Sequence, residues 1–264
     1  MISQFQSANH SVADSLHRLP VAWLIARKSI KYRYRRSALG PFWITLTQAV
    51  YVLALVFVFG KLFPQGGPGF VPYVASGVIL WSFISTSIQA SSQVFVQRKA
   101  AILDGDLHYL THVFEVIFEN ALIFAHNAVI LIIVVLLYQV PVSVLDIPAM
   151  LLGLLLIAVN LVGIGAILGI LTARYRDLEP LVVSGLQILF FATPIMWKPE
   201  FIGESSGLVK FNPVHHWLST IREQLTGGDF QFASVLVTLG TGILSCLTAY
   251  LLFVKFHRKI ASWL

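Results

Sequence analysis

Six stretches without a single charged side chain dominate the sequence: 37–60, 62–97, 120–145, 147–173, 181–197 and 230–254. Each can supply the roughly 17 to 25 apolar residues with which a helix crosses about 30 Å of hydrocarbon. Runs such as Ala128 to Leu137 are apolar on every side, so the period-2 alternation of an outer-membrane barrel is missing. Composition agrees. The chain is 57% apolar and 11% charged, too few ionisable groups to keep the surface of a soluble domain wet. Its 19 Phe and the lack of repeats also exclude a disordered or fibrous chain. The expected fold is therefore an all-α integral membrane protein with six transmembrane helices, at about 38–62, 71–97, 113–138, 147–172, 179–197 and 231–254. The stretch 62–97 is too long for one span. Pro64, Gly66, Gly67, Pro68, Gly69 and Pro72 mark an external loop before a helix starting near Val71.

The basic residues give an orientation. Arg18, Arg27, Lys28, Lys31, Arg33, Arg35 and Arg36 precede the first span. Arg98 and Lys99 lie between the second and third, Arg174 and Arg176 between the fourth and fifth, and Lys255, Arg258 and Lys259 after the last. Only Lys61, Lys198, Lys210 and Arg222 fall on the other side. By the positive-inside rule both termini are expected in the cytoplasm. The net charge of +6 is thus a topology signal, and nucleic acid is not an expected partner. No cleaved signal peptide is expected, because no short hydrophobic region with a small-residue cleavage site precedes the first apolar run. The single Cys246 sits in an apolar run and leaves folding independent of an intrachain disulfide.

Three segments outside the spans stand out. Pro20 to Arg36 mixes Val21, Trp23, Leu24, Ile25 and Ile30 with basic residues, the pattern of an interfacial helix on the anionic cytoplasmic leaflet; the plainer reading is a positive-inside flank. This makes residues 1–36 a cytoplasmic segment, 37–254 the membrane domain and 255–264 a cytoplasmic tail. Arg98 to Thr111 carries Ile102, Leu103, Leu107 and Leu110 beside Asp104 and Asp106, a short amphipathic stretch able to dock in a groove or simply to pack. Lys198 to Asp229 is expected to hold short external re-entrant or interfacial helices. There Asn212 and Pro213 suit an N-cap and first helical position, Trp217, Leu218, Ile221 and Leu225 have helical spacing, and Gly227 and Gly228 end the run.

With Arg33, Arg35, Arg36, Ser37, Leu39, Gly40 and Trp43, the segment RYRRSALGPFW resembles a known pattern. So do ARYRDLEPLVVSGLQILFFATPIMW at 173–197 and NPVHHWLSTIREQLTG at 212–227. Together they resemble the ABC-2 type permeases, most closely the membrane subunits of polysaccharide and O-antigen exporters. The connection Leu107-His108-Tyr109-Leu110 departs from the Phe-Pro or Leu-Pro pair of many such permeases. The resemblance implies a homodimeric channel in the bacterial inner membrane, driven by two separate ATPase subunits. No cofactor is expected on this chain, with ATP and Mg on the partner; the sequence indeed has no GxxxxGK[ST] phosphate loop. Ile102, Leu103, Asp104, Leu107 and Leu110 would then couple to the ATPase. The implied substrate is a polysaccharide on polyprenyl diphosphate. Arg33, Arg35 and Arg36 are candidates for its diphosphate, since guanidinium forks pair with phosphate oxygens, although the same residues can simply fix topology. Tyr51, Tyr73 and Trp81 are candidates for stacking sugars, or for packing.

Two further groups carry charge. Arg174, Arg176, Asp177 and Glu179 form a compact cluster, most simply an ion-pair network bracing the fourth and fifth spans. Glu115 and Glu119, with His108, His112 and His126, have a spacing that also admits metal ligands, but the simpler arrangement is hydrogen-bonded carboxylates near the leaflet, and no metal is expected. Two alternatives to polysaccharide export stay open: an ABC-2 permease for a smaller drug or lipid, and a membrane metalloenzyme built on His108, His112, Glu115 and Glu119.

Overall fold

In a computed structural model, residues 2–62, 67, 69–105, 108–199 and 207–264 are described, and all regular structure among them is helical. The helices are α1 (Ile2–His17), α2 (Leu19–Arg33), α3 (Phe42–Leu62), α4 (Phe70–Ser92), α5 (Val94–Gln97), α6 (Lys99–Leu103), α7 (Tyr109–Leu137), α8 (Asp146–Arg174), α9 (Leu178–Ala192), α10 (Gly207–Lys210), α11 (Pro213–Leu225) and α12 (Phe232–Trp263). Five of them, α3, α4, α7, α8 and α12, are long and apolar enough to cross a membrane. The chain is an all-helical integral membrane protein. The fifth expected span, 179–197, is shorter than the charge gap suggests. α9 has 15 residues, about 22 Å, because Pro194 drives Thr193 to an extended conformation (φ −100°, ψ 135°) and ends the helix at Ala192.

The central helix is α4, most of which is buried by its neighbours, whereas α3 and α9 are peripheral: α9 has no buried residue, and most large side chains of α3 are exposed. α8 and α12 pack through small residues. A Cβ on Gly163 would lie 2.4 Å from Ser245 Oγ and 2.8 Å from the Cys246 backbone nitrogen, so only glycine permits this approach. Nearby, Asn160 Nδ2 donates to the Thr238 carbonyl at 2.9 Å.

The N-terminal segment holds two helices where one was expected. α2 spans nearly the predicted interfacial stretch and lays Ala22, Ala26 and Ile30, four residues apart, against α7. Trp23 meets Phe118 edge-on at 5.7 Å. α1, not foreseen in the sequence, packs on α7 and α12, and Tyr250 donates to Asn9 Oδ1 at 2.6 Å. The segment 255–264, expected as a tail, continues α12 and buries Ile260. Pro64, Gly66, Pro68, Asp106 and Leu107 lie outside the described residues.

Candidate functional site

The face of α4 and α5 repeats every four residues: Trp81, Ser85, Gln89, Gln93, Gln97. Residues four apart are neighbours on a helix surface, so these five form a row that winds along about 24 Å of chain through the break at Gln93. Two cavities open along it. A polar one of about 560 Å³ is lined by Gln89, Gln93, Gln97, Arg33, Arg98, Glu119, Asn120 and Glu179 among others. A second, of about 480 Å³, is lined by Tyr51, Trp81, Ser85, Gln89, Gln187, Phe190 and Phe191 among others. Gln89 belongs to both. The stripe therefore runs from guanidinium and carboxylate groups, through amides, to aromatic rings, with Trp81 and Phe190 5.7 Å apart.

The three candidate arginines are separated. Arg33, in the last turn of α2, pairs with Glu119 of α7 at the polar cavity. Arg35 lines a different cavity with Trp23, Arg27, Lys31, Tyr34 and His126, and Arg36 is exposed. Arg98, which the sequence marks only as a flank, joins Arg33 in the polar cavity and pairs with Glu115. Its position between α5 and α6 comes from a chain turn at Arg98 (φ −95°, ψ 16°), which charge counting does not reveal.

The aromatic candidates divide as well. Tyr51 and Trp81 meet at the second cavity, Trp81 with only an edge exposed, whereas Tyr73, equally buried, lies at the opposite end of the bundle from α2 and α6. Its hydroxyl can donate to the carbonyl oxygen of Pro194 or of Trp197, each 3.1 Å from the phenolic oxygen. Its ring lies 4.2 Å beneath the Arg222 guanidinium. Arg222 is 1% exposed and donates from Nη1 to the Pro194 carbonyl at 2.6 Å. Asn212 adds a third link. It caps α11 by accepting from the Val214 amide at 2.9 Å, and its Nδ2 donates to Thr193 Oγ1 at 2.9 Å. The expected cap on Asn212 and stop at Gly227 (φ +75°) are both present. Against this cluster the imidazole of His215 is pushed down to about 4, first by burial, then by the neighbouring Arg222 and His216.

Of the segment expected to face an ATPase, Leu103 and Asp104 are exposed, while Ile102 is buried and Leu110 turns toward Phe253 of α12. His108 holds the segment to α1, with Nδ1 3.2 Å from Ser11 Oγ and Nε2 3.2 Å from Asp14 Oδ2.

The ion-pair network expected of Arg174, Arg176, Asp177 and Glu179 is not formed among the described residues. The chain straightens at Tyr175 (φ −124°, ψ 91°), which splays the four apart. Arg174 lies over the Tyr175 and Trp263 rings at 5.1 and 5.3 Å, Arg176 donates to the Leu264 carbonyl at 3.5 Å, and Glu179 lines the polar cavity. Nor do the candidate metal ligands converge. His112 Nδ1 is 3.4 Å from Glu115 Oε2, His126 bonds the Leu122 carbonyl of its own helix, and His108 faces α1. No three His, Cys, Asp or Glu side chains among the described residues are grouped to hold a metal ion.

Residues 21–225 match the family described as ABC-2 type transporter. Among curated proteins, the chain is 22% identical over 244 residues to an O-antigen export system permease protein RfbA of Klebsiella pneumoniae, covering 90% of this chain and 93% of that one. It is 25% identical over 195 residues to a protein of the same name from Myxococcus xanthus, covering 72% and 74%.

Proposed function

The chain belongs to the ABC-2 type transporter family, and from that premise we propose that it is the membrane subunit of an ATP-driven exporter carrying a polyprenyl-diphosphate-linked polysaccharide out of the cytoplasm. The observation that carries the reading is the stripe from Gln97 to Trp81. Its charged end suits a diphosphate, its amides suit hydroxyl-rich sugars, and its aromatic end offers flat surfaces for sugar C–H faces with few directional bonds to trap them. The relatives' names, O-antigen export system permease, support an export role of this kind.

The stripe lies beside α3, most of whose large side chains are exposed, and α9, which has no buried residue. A second copy meeting these faces would close the open side of the aromatic cavity into a passage. The ATPase pair, which would hold ATP and Mg, would press on the cytoplasmic face, where the exposed Leu103 and Asp104 are available to meet it. Both termini lie on that side in this reading, in the bacterial inner membrane.

Deletion of the gene, followed by analysis of surface glycan, tests the proposal. Loss of the surface polymer with lipid-linked polymer accumulating inside is expected, restored by the wild-type chain. Unchanged surface glycan in the deletion strain overturns it and turns attention to a smaller cargo.

A further inference from the structure

Two arginines face the polar cavity, and each is already paired with a carboxylate. Arg33 pairs with Glu119 and Arg98 with Glu115, while Glu179 adds a third carboxylate to the surroundings. The carboxylates offset the guanidinium charges, so an entering diphosphate has to compete with them for an arginine fork.

The two pairs differ in kind. Glu115 is 2% exposed, and its second oxygen faces His112 Nδ1 at 3.4 Å. Removing Arg98 from it would strand a buried carboxylate, at a high cost. Glu119 is 13% exposed and lines the cavity itself, and its arginine is 51% exposed. Of the two pairs this is the more exposed, so it opens at the lower cost.

Resting on the diphosphate reading above, we propose that Glu119 is a resident counter-ion, whose carboxylate is replaced on Arg33 by the diphosphate of the lipid-linked substrate. A diphosphate carries more charge and more acceptor oxygens than a carboxylate, so it wins the guanidinium fork when it is present. The displaced carboxylate stays in the cavity wall and returns to Arg33 once the head group moves toward Gln89. Arg33 is then closed to backward binding, and an affinity that would otherwise hold the substrate at the portal is kept low. Arg98, fixed by Glu115, is the constant partner of this exchange.

The test is binding to the full-length protein in phosphatidylcholine nanodiscs, with farnesyl diphosphate, inorganic pyrophosphate and farnesol as probes. Glu119→Gln is expected to bind farnesyl diphosphate roughly tenfold more tightly than wild type, with farnesol unchanged. In the double variant Arg33→Gln/Glu119→Gln that gain is expected to vanish. An equal gain for pyrophosphate supports recognition of the diphosphate group alone, and a gain confined to farnesyl diphosphate supports recognition of head group and chain together. Farnesyl diphosphate binding in which Glu119→Gln is equal to or weaker than wild type overturns the exchange but leaves the proposed cargo standing. An equal gain for farnesol also overturns it. Failure of every chain to bind either diphosphate overturns both the exchange and the diphosphate reading.

Discussion

Arg222 of α11 stacks its guanidinium 4.2 Å above the ring of Tyr73 of α4, and both side chains bond the carbonyl of Pro194. One carbonyl freed by the break after α9 thus joins three segments. Among the described residues the arginine's nearest carboxylate, Glu223, is 4.0 Å away, so ring and carbonyl dipole carry much of the burden of holding a buried charge. Arg222→Lys keeps the charge but loses the planar stack, and is expected to destabilise the protein by about 1–2 kcal/mol. Tyr73→Phe keeps the ring and loses the hydroxyl, costing about 1 kcal/mol or less. Thermal unfolding in detergent, followed by tryptophan fluorescence, should rank Arg222→Lys below Tyr73→Phe. The reverse order would remove the stack as the main contact.

His215 makes the same region sensitive to acid. The folded protein holds its imidazole neutral down to about 4, against an ordinary value of 6.5. Between those values the unfolded chain binds a proton that the folded one does not, so stability is highest above about pH 6.5 and falls as pH drops toward 4. His215→Gln removes this dependence. A melting temperature measured at pH 7.5 and 5 should fall less in the variant than in wild type, and identical slopes would show that His215 is not the source.

The contact between α8 and α12 gives a sharp steric prediction. At Gly163 an added methyl meets a backbone nitrogen at 2.8 Å as well as Ser245 Oγ, and backbone cannot swing aside. Gly163→Ala is expected to cost about 1–3 kcal/mol by forcing the helices apart. Gly240, within α12, has nothing within 4 Å of the place an added methyl would take, and Gly240→Ala should be neutral or stabilising by up to about 1 kcal/mol. Equal melting temperatures for the two variants would contradict the close approach.

The spans were legible because hydrocarbon forces a simple rule on sequence: long runs without charge become helices. The Asn212 cap and the Gly227 stop were legible for an equally local reason, since capping depends on neighbouring residues alone. What the chain brings together from afar was not. Tyr73 and Trp81 share a helix, yet Arg222 claims one and the cavity the other, and no pattern within α4 encodes the arrival of α11. The charge cluster at 174–179 failed for a related reason, because its arginines found Trp263 and Leu264 at the far end of the chain. The glutamines had a signal that composition hides: polar residues repeating every four positions in an otherwise apolar run mark one wet face of a helix.

That face supplies the most direct test of transport. Gln89 is exposed and shared by both cavities, so on the proposed route a sugar moving from the charged end to Trp81 would cross its amide. Gln89→Leu keeps a similar size and removes donor and acceptor, leaving an apolar step where hydroxyl groups must shed water without replacement bonds. Because the side chain is exposed within the protomer, folding should change little, within about 0.5 kcal/mol. Surface glycan in a deletion strain carrying Gln89→Leu is expected to drop at least fivefold at equal protein level, whereas Gln89→Asn, which keeps the amide, should retain most export. Trp81→Ala should also reduce export, and Trp81→Phe should restore it if a flat surface is what the cargo needs. Full export by Gln89→Leu at wild-type abundance would mean that the polymer does not travel along this stripe.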